Sequence, residues 1–471
     1  MLFTYTKTTL EKLLFFFIIL FDRVTKKNLV CKVELLFVYL RLKKHKIVTS
    51  LNVGRLQDHL FFVSANIAIP GNHYGSSVSE SKEEALSISL GESLERYITY
   101  SRGFSPQKSE TLLTYDQAKE LYDHVYFPSL FHTMFGIEDK HKAKYKQSKL
   151  IFLEGFSLLD KKRVALPGQL VYWGERKSFS KEPILLHANT SGMAGFFTKS
   201  GAILRGLLEV IERDAFLCHW LTKCPPLHFD KKTFPDHIKN KISYYEKKEQ
   251  EVFVLNSTTD VQVPSVIALL YNNKKDAWVV SLSARLSIEE AINSSLLELA
   301  KLELLFDDDD DGKALNELEK RKERGKKFSF PNNPKDRIFI ARGEKFRKGV
   351  DWIFSGDCIS FEESKKNDLV SSQAKGEEKE DFLLQDSNKL EQLCKHLLTL
   401  EDKYHPYYYE HKDKALDELG FHVVTTVVPE LMPLYLDEKF AITKSQRLTN
   451  FSYSKRGRGE FILNEEPHPF Y

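Results

Sequence analysis

The sequence predicts an α+β fold built from pseudo-repeated helix and sheet units, and three observations carry that prediction. Two stretches follow one pattern, A-x6-E-x2-E-R: Ala85…Ser89-Leu-Gly-Glu92-Ser-Leu-Glu95-Arg96 and Ala202…Gly206-Leu-Leu-Glu209-Val-Ile-Glu212-Arg213. In both, apolar residues recur at helical spacing, and 3.6 residues per turn puts the Ala, the two Glu and the Arg on one face. A fainter third copy, Ala291…Glu298-Leu-Ala-Lys301, keeps the Ala and first Glu but carries Lys where the second Glu would stand. Short β-type runs such as His59 to Val63 and Trp278 to Leu282 alternate with these helices.

Taken in order, residues 1–50 read as a basic, apolar arm or accessory segment. Leu13 to Phe21 and Val33 to Leu42 are apolar but are closed by Asp22-Arg23 and Lys43-Lys44, whereas a membrane-crossing helix needs about 20 apolar residues. The first run follows Lys7 and Lys12 as a signal peptide would, yet no A-x-A site comes after it. A packed helix and strand is the expectation, with weak membrane-surface association through this arm as the alternative. Residues 51–471 read as one domain. Within it, Asn189 to Gly195 is a small-residue turn expected to lead into the second motif helix, where backbone N–H groups can approach an anion.

Downstream, Asp307, Asp309, Asp311 and Gly312 have the opening spacing of a calcium loop, but Leu318 stands where the bidentate Glu is required, so the reading is a solvated acidic turn. Lys313 to Lys327 reads as a charged exposed helix, and the Glu/Lys/Ser-rich stretch 362–381 as a surface insert. A helix near Leu390 to Leu400 and a strand from Phe421 to Val428, stopped by Pro429, complete the pattern.

Bulk properties narrow the function classes. A 471-residue chain with 42% hydrophobic content can bury a large core. A formal net charge of +3 gives no case for nucleic acid as a partner. The five cysteines are odd in number and free of C-x-x-C, which argues against a disulfide framework or a zinc ribbon and for a reducing, cytoplasmic setting. His219 beside Cys218 has no ligand spacing and reads as structural.

A single helix bearing Glu and Arg is ordinarily a solvated face. Two independent solvent faces, however, have no reason to share one register of Ala, Glu, Glu and Arg. If the faces meet in a cleft, repulsion would protonate some carboxylates unless a cation intervened. Magnesium is the natural cation, because it binds through a few carboxylates and leaves room for waters and phosphates. Glu92, Glu95, Glu209 and Glu212 are therefore the candidate metal ligands, with Arg96 and Arg213 as phosphate forks or carboxylate orienters. No Walker A sequence and no kinase Gly-rich loop is present, so a nucleotide site here must be carboxylate-rich.

These motifs resemble those of the YcaO family, in which S-x-x-E-x-x-E-R is followed, after a small-residue turn, by E-x-x-E-R-D-A. Here they are Ser89 to Arg96, Thr190 to Gly195, and Glu209-Val-Ile-Glu212-Arg213-Asp214-Ala215. Gly420-Phe-His-Val-Val with Val428-Pro-Glu-Leu-Met-Pro433, and Pro467-His-Pro469-Phe-Tyr471, resemble the late segment and tail of the azoline-forming branch. The resemblance implies a YcaO-type fold around a carboxylate-rich nucleotide cleft. It also implies an ATP- and Mg-dependent cyclodehydratase that turns Cys, Ser or Thr of a ribosomally made precursor peptide into azolines.

By that resemblance Ser89, Glu92, Glu95, Arg96, Thr190, Ser191, Glu209, Glu212, Arg213 and Glu298 bind the nucleotide, and the terminal carboxylate of Tyr471 acts as a base. Expected partners are the precursor peptide, a separate E1-like leader-binding protein, a flavin dehydrogenase, and a second copy of the chain in a homodimer. Departures are several: Ser294 and Lys301 replace the Arg and Gln of R-x-x-x-E-x-x-Q, Val78 stands where a lysine is usual though Lys82 lies a turn away, and Phe196-Phe197 replace Gly-Asn. These leave two other readings open, a non-catalytic docking scaffold and a thioamidation enzyme.

Overall fold

The computed structural model describes residues 29–57, 60–69, 74–102, 112–128, 138–172, 182–183, 185, 190–303, 336–337, 340–370, 382–400, 403–443, 445–457 and 461–470. Helix α1 (Leu29–Lys44) precedes an antiparallel sheet of β1 (Val48–Gln57), β2 (Leu60–Ile67) and β3 (Tyr74–Ser79), on which α2 (Lys82–Arg102) lies. On α2, Leu86, Leu90, Leu94 and Ile98 recur every four residues and are buried with Tyr39 and Leu42 of α1 and Val63 and Ala65 of β2. Of the amino-terminal segment, the run Val33 to Leu42 lies in α1, and α1 and Ile47 share a core with the first motif helix.

The other side of α2 is covered too. Ala85 and Ser89 have no exposed surface, because Gly75 of β3 lets the helix approach so closely that a Cβ there would sit 2.3 Å from the Ser89 carbonyl oxygen.

A seven-stranded mixed sheet follows, made from β4 (Leu112–Leu113), β5 (His124–Val125), β6 (Leu150–Ser157), β7 (Arg163–Pro167), β8 (Met193–Phe196) and two late strands. Helices α3 (Tyr115–Leu121), α4 (Glu138–Gln147) and α5 (Gly168–Val171) connect its early members. Strand β8 is a finding against expectation. The small-residue turn does not lead straight into the second motif helix; four residues of strand intervene before α6 (Lys199–Thr222) begins. The Thr198 side chain caps α6 by accepting from the Gly201 N–H.

The third sheet comprises β9 (Leu227–Phe229), β10 (Gln250–Asn256), β11 (Ser265–Asn272), β12 (Ala277–Ala284) and, later, a short parallel strand, in the order β12-β11-β10-β9 and then that strand. Helix α7 (Asp236–Glu246) packs on β10, and α8 (Ile288–Glu303), the third motif helix, covers β11 and β12 and reaches β3. Then come α9 (Gly343–Val350), the parallel strand β13 (Cys358–Ile359), α10 (Phe361–Ser364), α11 (Phe382–Leu398), β14 (Tyr407–Glu410), α12 (Lys414–Leu419), β15 (His422–Val427) and α13 (Gln446–Arg456). Strands β14 and β15 complete the seven-stranded sheet between β6 and β8.

Helix α6 is buried almost all round, between β15 and β8 on one side and β12 on the other. That position explains its composition, since a helix walled by two sheets needs apolar residues on most faces and polar ones only where strand ends leave an opening.

The stretch 362–381 is less of an excursion than its composition suggests. Phe361 and Ser364 are buried, and the Asp368 carboxylate accepts from the Ile288 N–H at 2.7 Å, capping α8. Its residues 371–381 lie outside the described set, as do Leu13 to Phe21, the acidic turn at Asp307 to Asp311 and the helix expected over Lys313 to Lys327. Among the described residues no helix is long and apolar enough to cross a membrane.

Candidate active site

The three motif helices converge where β3, β8 and β12 end. Each of the four motif carboxylates accepts one hydrogen bond from a backbone N–H. Glu92 of α2 takes the Ser76 N–H of β3 at 2.7 Å, and Glu95 takes the Gly195 N–H of β8 at 3.1 Å. Glu209 of α6 takes the Gly192 N–H at 2.7 Å, and Glu212 takes the Ala284 N–H of β12 at 3.1 Å. Gly192, at φ 77°, sits in the left-handed region that glycine enters without strain. All three sheets thereby fix the acids in place.

The second oxygens divide into two kinds. That of Glu92 lies 2.5 Å from the Arg96 guanidinium, and that of Glu209 lies 2.6 Å from Arg213. Those of Glu95 and Glu212 make no hydrogen bond or direct ion pair among the described residues. Arg213 also donates to Thr190 Oγ1 at 3.3 Å and Ser191 Oγ at 2.9 Å, while its buried Nε finds no acceptor among the described residues.

Burial, reinforced by Glu209 and Glu92, holds the Glu95 carboxyl well above the usual carboxylate range. Burial likewise raises Glu209, and pushes Glu212 up to about 7. Such shifts mark a cluster that favours either protons or an added cation. In the free protein a raised folded-state pKa means that the Glu212 contribution to stability is complete below the ordinary carboxyl value and is lost as the pH climbs through about 7. Unfolding midpoints of the free chain are therefore expected to fall between pH 5 and 7.5. Added Mg²⁺ and nucleotide should flatten that decline, as thermal melts at each pH will show.

Among the described residues no group of three or more acidic, His or Cys side chains is placed to hold a metal ion by itself. The donor set still suits Mg²⁺, which is held through one or two carboxylates and completed by waters and substrate phosphates. Glu95 and Glu212, with an oxygen each to spare, are the ligands that fit, and Glu92 and Glu209 back them with charge.

The remaining expected residues distribute as follows. Ser89 is fully buried and donates to the Gly75 carbonyl at 2.9 Å, so its single proton joins α2 to β3 and does not face the cleft. Glu298 pairs with Lys301 at 2.6 Å. Burial disfavours the Lys301 ammonium, but Glu298 and Glu92 overcome this and keep it charged, so the Gln-to-Lys departure places a fixed cation beside the acids. Tyr471 lies outside the described residues.

The tail before Tyr471 runs back along α6. The Asn464 N–H donates to the Leu221 carbonyl at 2.8 Å, Trp220 Nε1 donates to the Glu466 carbonyl at 3.0 Å, and Phe470 meets Phe216 at 5.8 Å between ring centroids. Phe216 is one turn beyond Glu212. Arg337, fully buried, fastens the tail by donating to the His468 carbonyl at 2.7 Å and to the Leu436 carbonyl at 2.8 Å.

Three residues of consequence lie outside the expected site. Asp214, fully buried, accepts from Arg447 at 2.5 Å and from the Met432 N–H at 2.9 Å. Arg337 is the second. Arg285, just past β12, is the third, donating to the Ala284 carbonyl at 2.7 Å and to Ser294 Oγ at 2.5 Å. The E-R-D-A pattern contained Asp214 but gave no sign of its partner, and nothing in the sequence marks the two arginines.

A carboxylate-rich cleft framed by three helix and sheet units defines the class, and residues 78–432 match the profile of the YcaO family, described as YcaO cyclodehydratase, ATP- and Mg²⁺-binding. The chain belongs to the YcaO family. No curated protein matches it in sequence. Among solved structures it is similar to a heterocyclase in complex with substrate and cofactor, at 15% identity and TM-score 0.67 over 92% of this chain and 57% of that one. It is also similar to YcaO from Methanopyrus kandleri bound with AMPPCP and Mg²⁺, at 15% identity and TM-score 0.57 over 85% and 91%. A third is the E. coli microcin synthetase McbBCD complex with pro-MccB17 bound, at 14% identity and TM-score 0.57 over 90% and 97%. These likenesses show a shared fold, and the chain spans little more than half the length of the heterocyclase.

Proposed function

We propose that this chain is the ATP- and Mg²⁺-dependent cyclodehydratase of a peptide-maturation system, forming azolines from Cys, Ser or Thr of a precursor peptide. One observation carries the reading: Glu95 and Glu212, from different helices, are each fixed through one oxygen by a backbone N–H, keep the other oxygen without a hydrogen bond among the described residues, and both feel the charge of Glu209. Solvated faces would not be tied to three sheets in this way.

When bound, Mg²⁺ and ATP supply the activation, converting the oxygen of a backbone amide into a phosphate leaving group. The protein's own residues position and neutralise. Glu95 and Glu212 would hold the metal, Arg213 offers its free Nε–H and its Thr190 and Ser191 partners at the phosphate side, and Arg96 orients Glu92. Glu298, paired with Lys301, closes the third side. The tail, clamped by Arg337, brings Phe470 alongside Phe216, and the terminal carboxylate of Tyr471 would take the proton released as the ring closes. A leader-binding E1-like protein, a flavin dehydrogenase that oxidises azolines, and a homodimeric assembly belong to the same proposal. The McbBCD complex with pro-MccB17 bound supports, in kind, a peptide substrate and partner proteins.

Mass spectrometry of a Cys-, Ser- or Thr-containing precursor peptide, incubated with the chain, its partner protein and Mg-ATP, tests the reading. Loss of one water per ring is expected, and sulfur incorporation without water loss, or no change at all, overturns it. Deleting residues 467–471 is expected to suppress ring formation while leaving Mg-AMPPCP affinity within about twofold, since the tail meets α6 beyond the carboxylates; calorimetric titration of the truncated chain checks this.

A further inference from the structure

We propose that Arg285 is a phosphate-binding residue of the nucleotide site, delivered from the end of β12 and seated on Ser294 of α8. The inference rests on the nucleotide reading above and adds a residue to it. Ala284 and Arg285 are consecutive: the Ala284 N–H holds Glu212, while its carbonyl accepts from Arg285. The Arg285 guanidinium therefore stands beside the metal-facing acid by covalent connection. Its other seat is Ser294 Oγ, at 2.5 Å.

Both hydrogen-bond acceptors are neutral, and among the described residues no carboxylate makes a direct ion pair with this half-buried guanidinium; the Glu212 carboxyl feels its charge without touching it. A second arginine adds like charge. Arg205 of α6, one turn before Glu209, feels the positive charge of Arg285 and already leans on Asp386 at 3.5 Å and on the face of Phe196 at 3.4 Å. A half-buried cation whose direct partners are neutral, with a second arginine nearby and Glu212 only at longer range, is better satisfied when a further anion completes it. Guanidinium forks suit phosphate oxygens, and two of the five N–H donors of Arg285 are spent.

The seat itself is informative. Ser294 stands where the motif resembled by α8 has an arginine. A serine is short enough to leave the volume of that side chain empty and polar enough to anchor what fills it. Arg285 fills it from another backbone position, so the charge is kept while its origin moves from the helix to the strand end.

Calorimetric titration with Mg-AMPPCP separates this inference from its premise. The intact chain is expected to bind; absence of binding overturns the nucleotide reading and this one with it. With the intact chain binding, Arg285→Ala is expected to weaken affinity by about 10- to 100-fold, and an unchanged affinity overturns the role of Arg285 alone. Arg285→Lys, which keeps the charge and lacks the fork, serves if the alanine variant does not fold, with a severalfold loss expected and no loss overturning the role. The double variant Arg285→Ala with Ser294→Arg is expected to recover most of the affinity, because the guanidinium then returns from α8. A folded double variant that stays as weak as Arg285→Ala overturns the shared position.

Discussion

Glu212→Gln is expected to cut ATP turnover by about 10²- to 10³-fold while leaving the fold as stable as before or slightly more so. The amide can still accept the Ala284 N–H, so the link between α6 and β12 is kept. What disappears is the charge on the open oxygen, and with it a metal ligand. Because burial, with Glu209 beside it, drives this carboxyl up to about 7, a neutral side chain relieves a cost that the native protein carries. Steady-state ATPase assays beside denaturant melts check both halves. Normal turnover would remove the magnesium role, and a large drop in stability would mark Glu212 as structural. Glu209→Gln should also lose turnover, but with a stability penalty, since Arg213 surrenders its 2.6 Å partner.

Arg447→Met should destabilise the protein by about 3–5 kcal/mol, the usual result of stripping one member from a buried pair. Asp214 has no exposed side-chain surface and Arg447 almost none; they meet at 2.5 Å, and Arg447 further reaches Asp260 at 2.6 Å. Left alone, Asp214 keeps only the Met432 N–H and a weak thiol contact from Cys218. Chemical denaturation reads the loss directly. Adding Asp214→Leu should return a large share of it, because an apolar pair of similar volume avoids the buried charge. The consequence reaches the site, as Asp214 follows Arg213 on α6 and Arg447 lies on α13, the helix that precedes the tail. A variant with unchanged stability would show that the pair is not what ties the two helices.

The first motif illustrates how far a pattern can be read. Leu86, Leu90, Leu94 and Ile98 were legible as a core stripe, and they are one. Ser89 was not legible. Its place on the Glu face suggested a role in the cleft, but the close approach of Gly75 seals it, and no helical wheel contains a strand that comes from the preceding hairpin. In the same way the small-residue turn pointed to α6, while the strand β8 between them became visible only through its pairing with β15, whose residues follow some two hundred positions later.

Repeated spacing of Ala, Glu, Glu and Arg was enough to determine that two helices share a task and that acids from both come together, since periodicity fixes a face and repetition makes an accidental face untenable. The tertiary structure alone decided which carboxylate oxygens are tied down and which are open, where Arg285 and Arg337 come to rest, and which partner holds Asp214. Those outcomes depend on contacts between residues far apart in the chain. Local periodicity says which way a side chain points from its own helix, and carries no record of the backbone that will arrive to meet it.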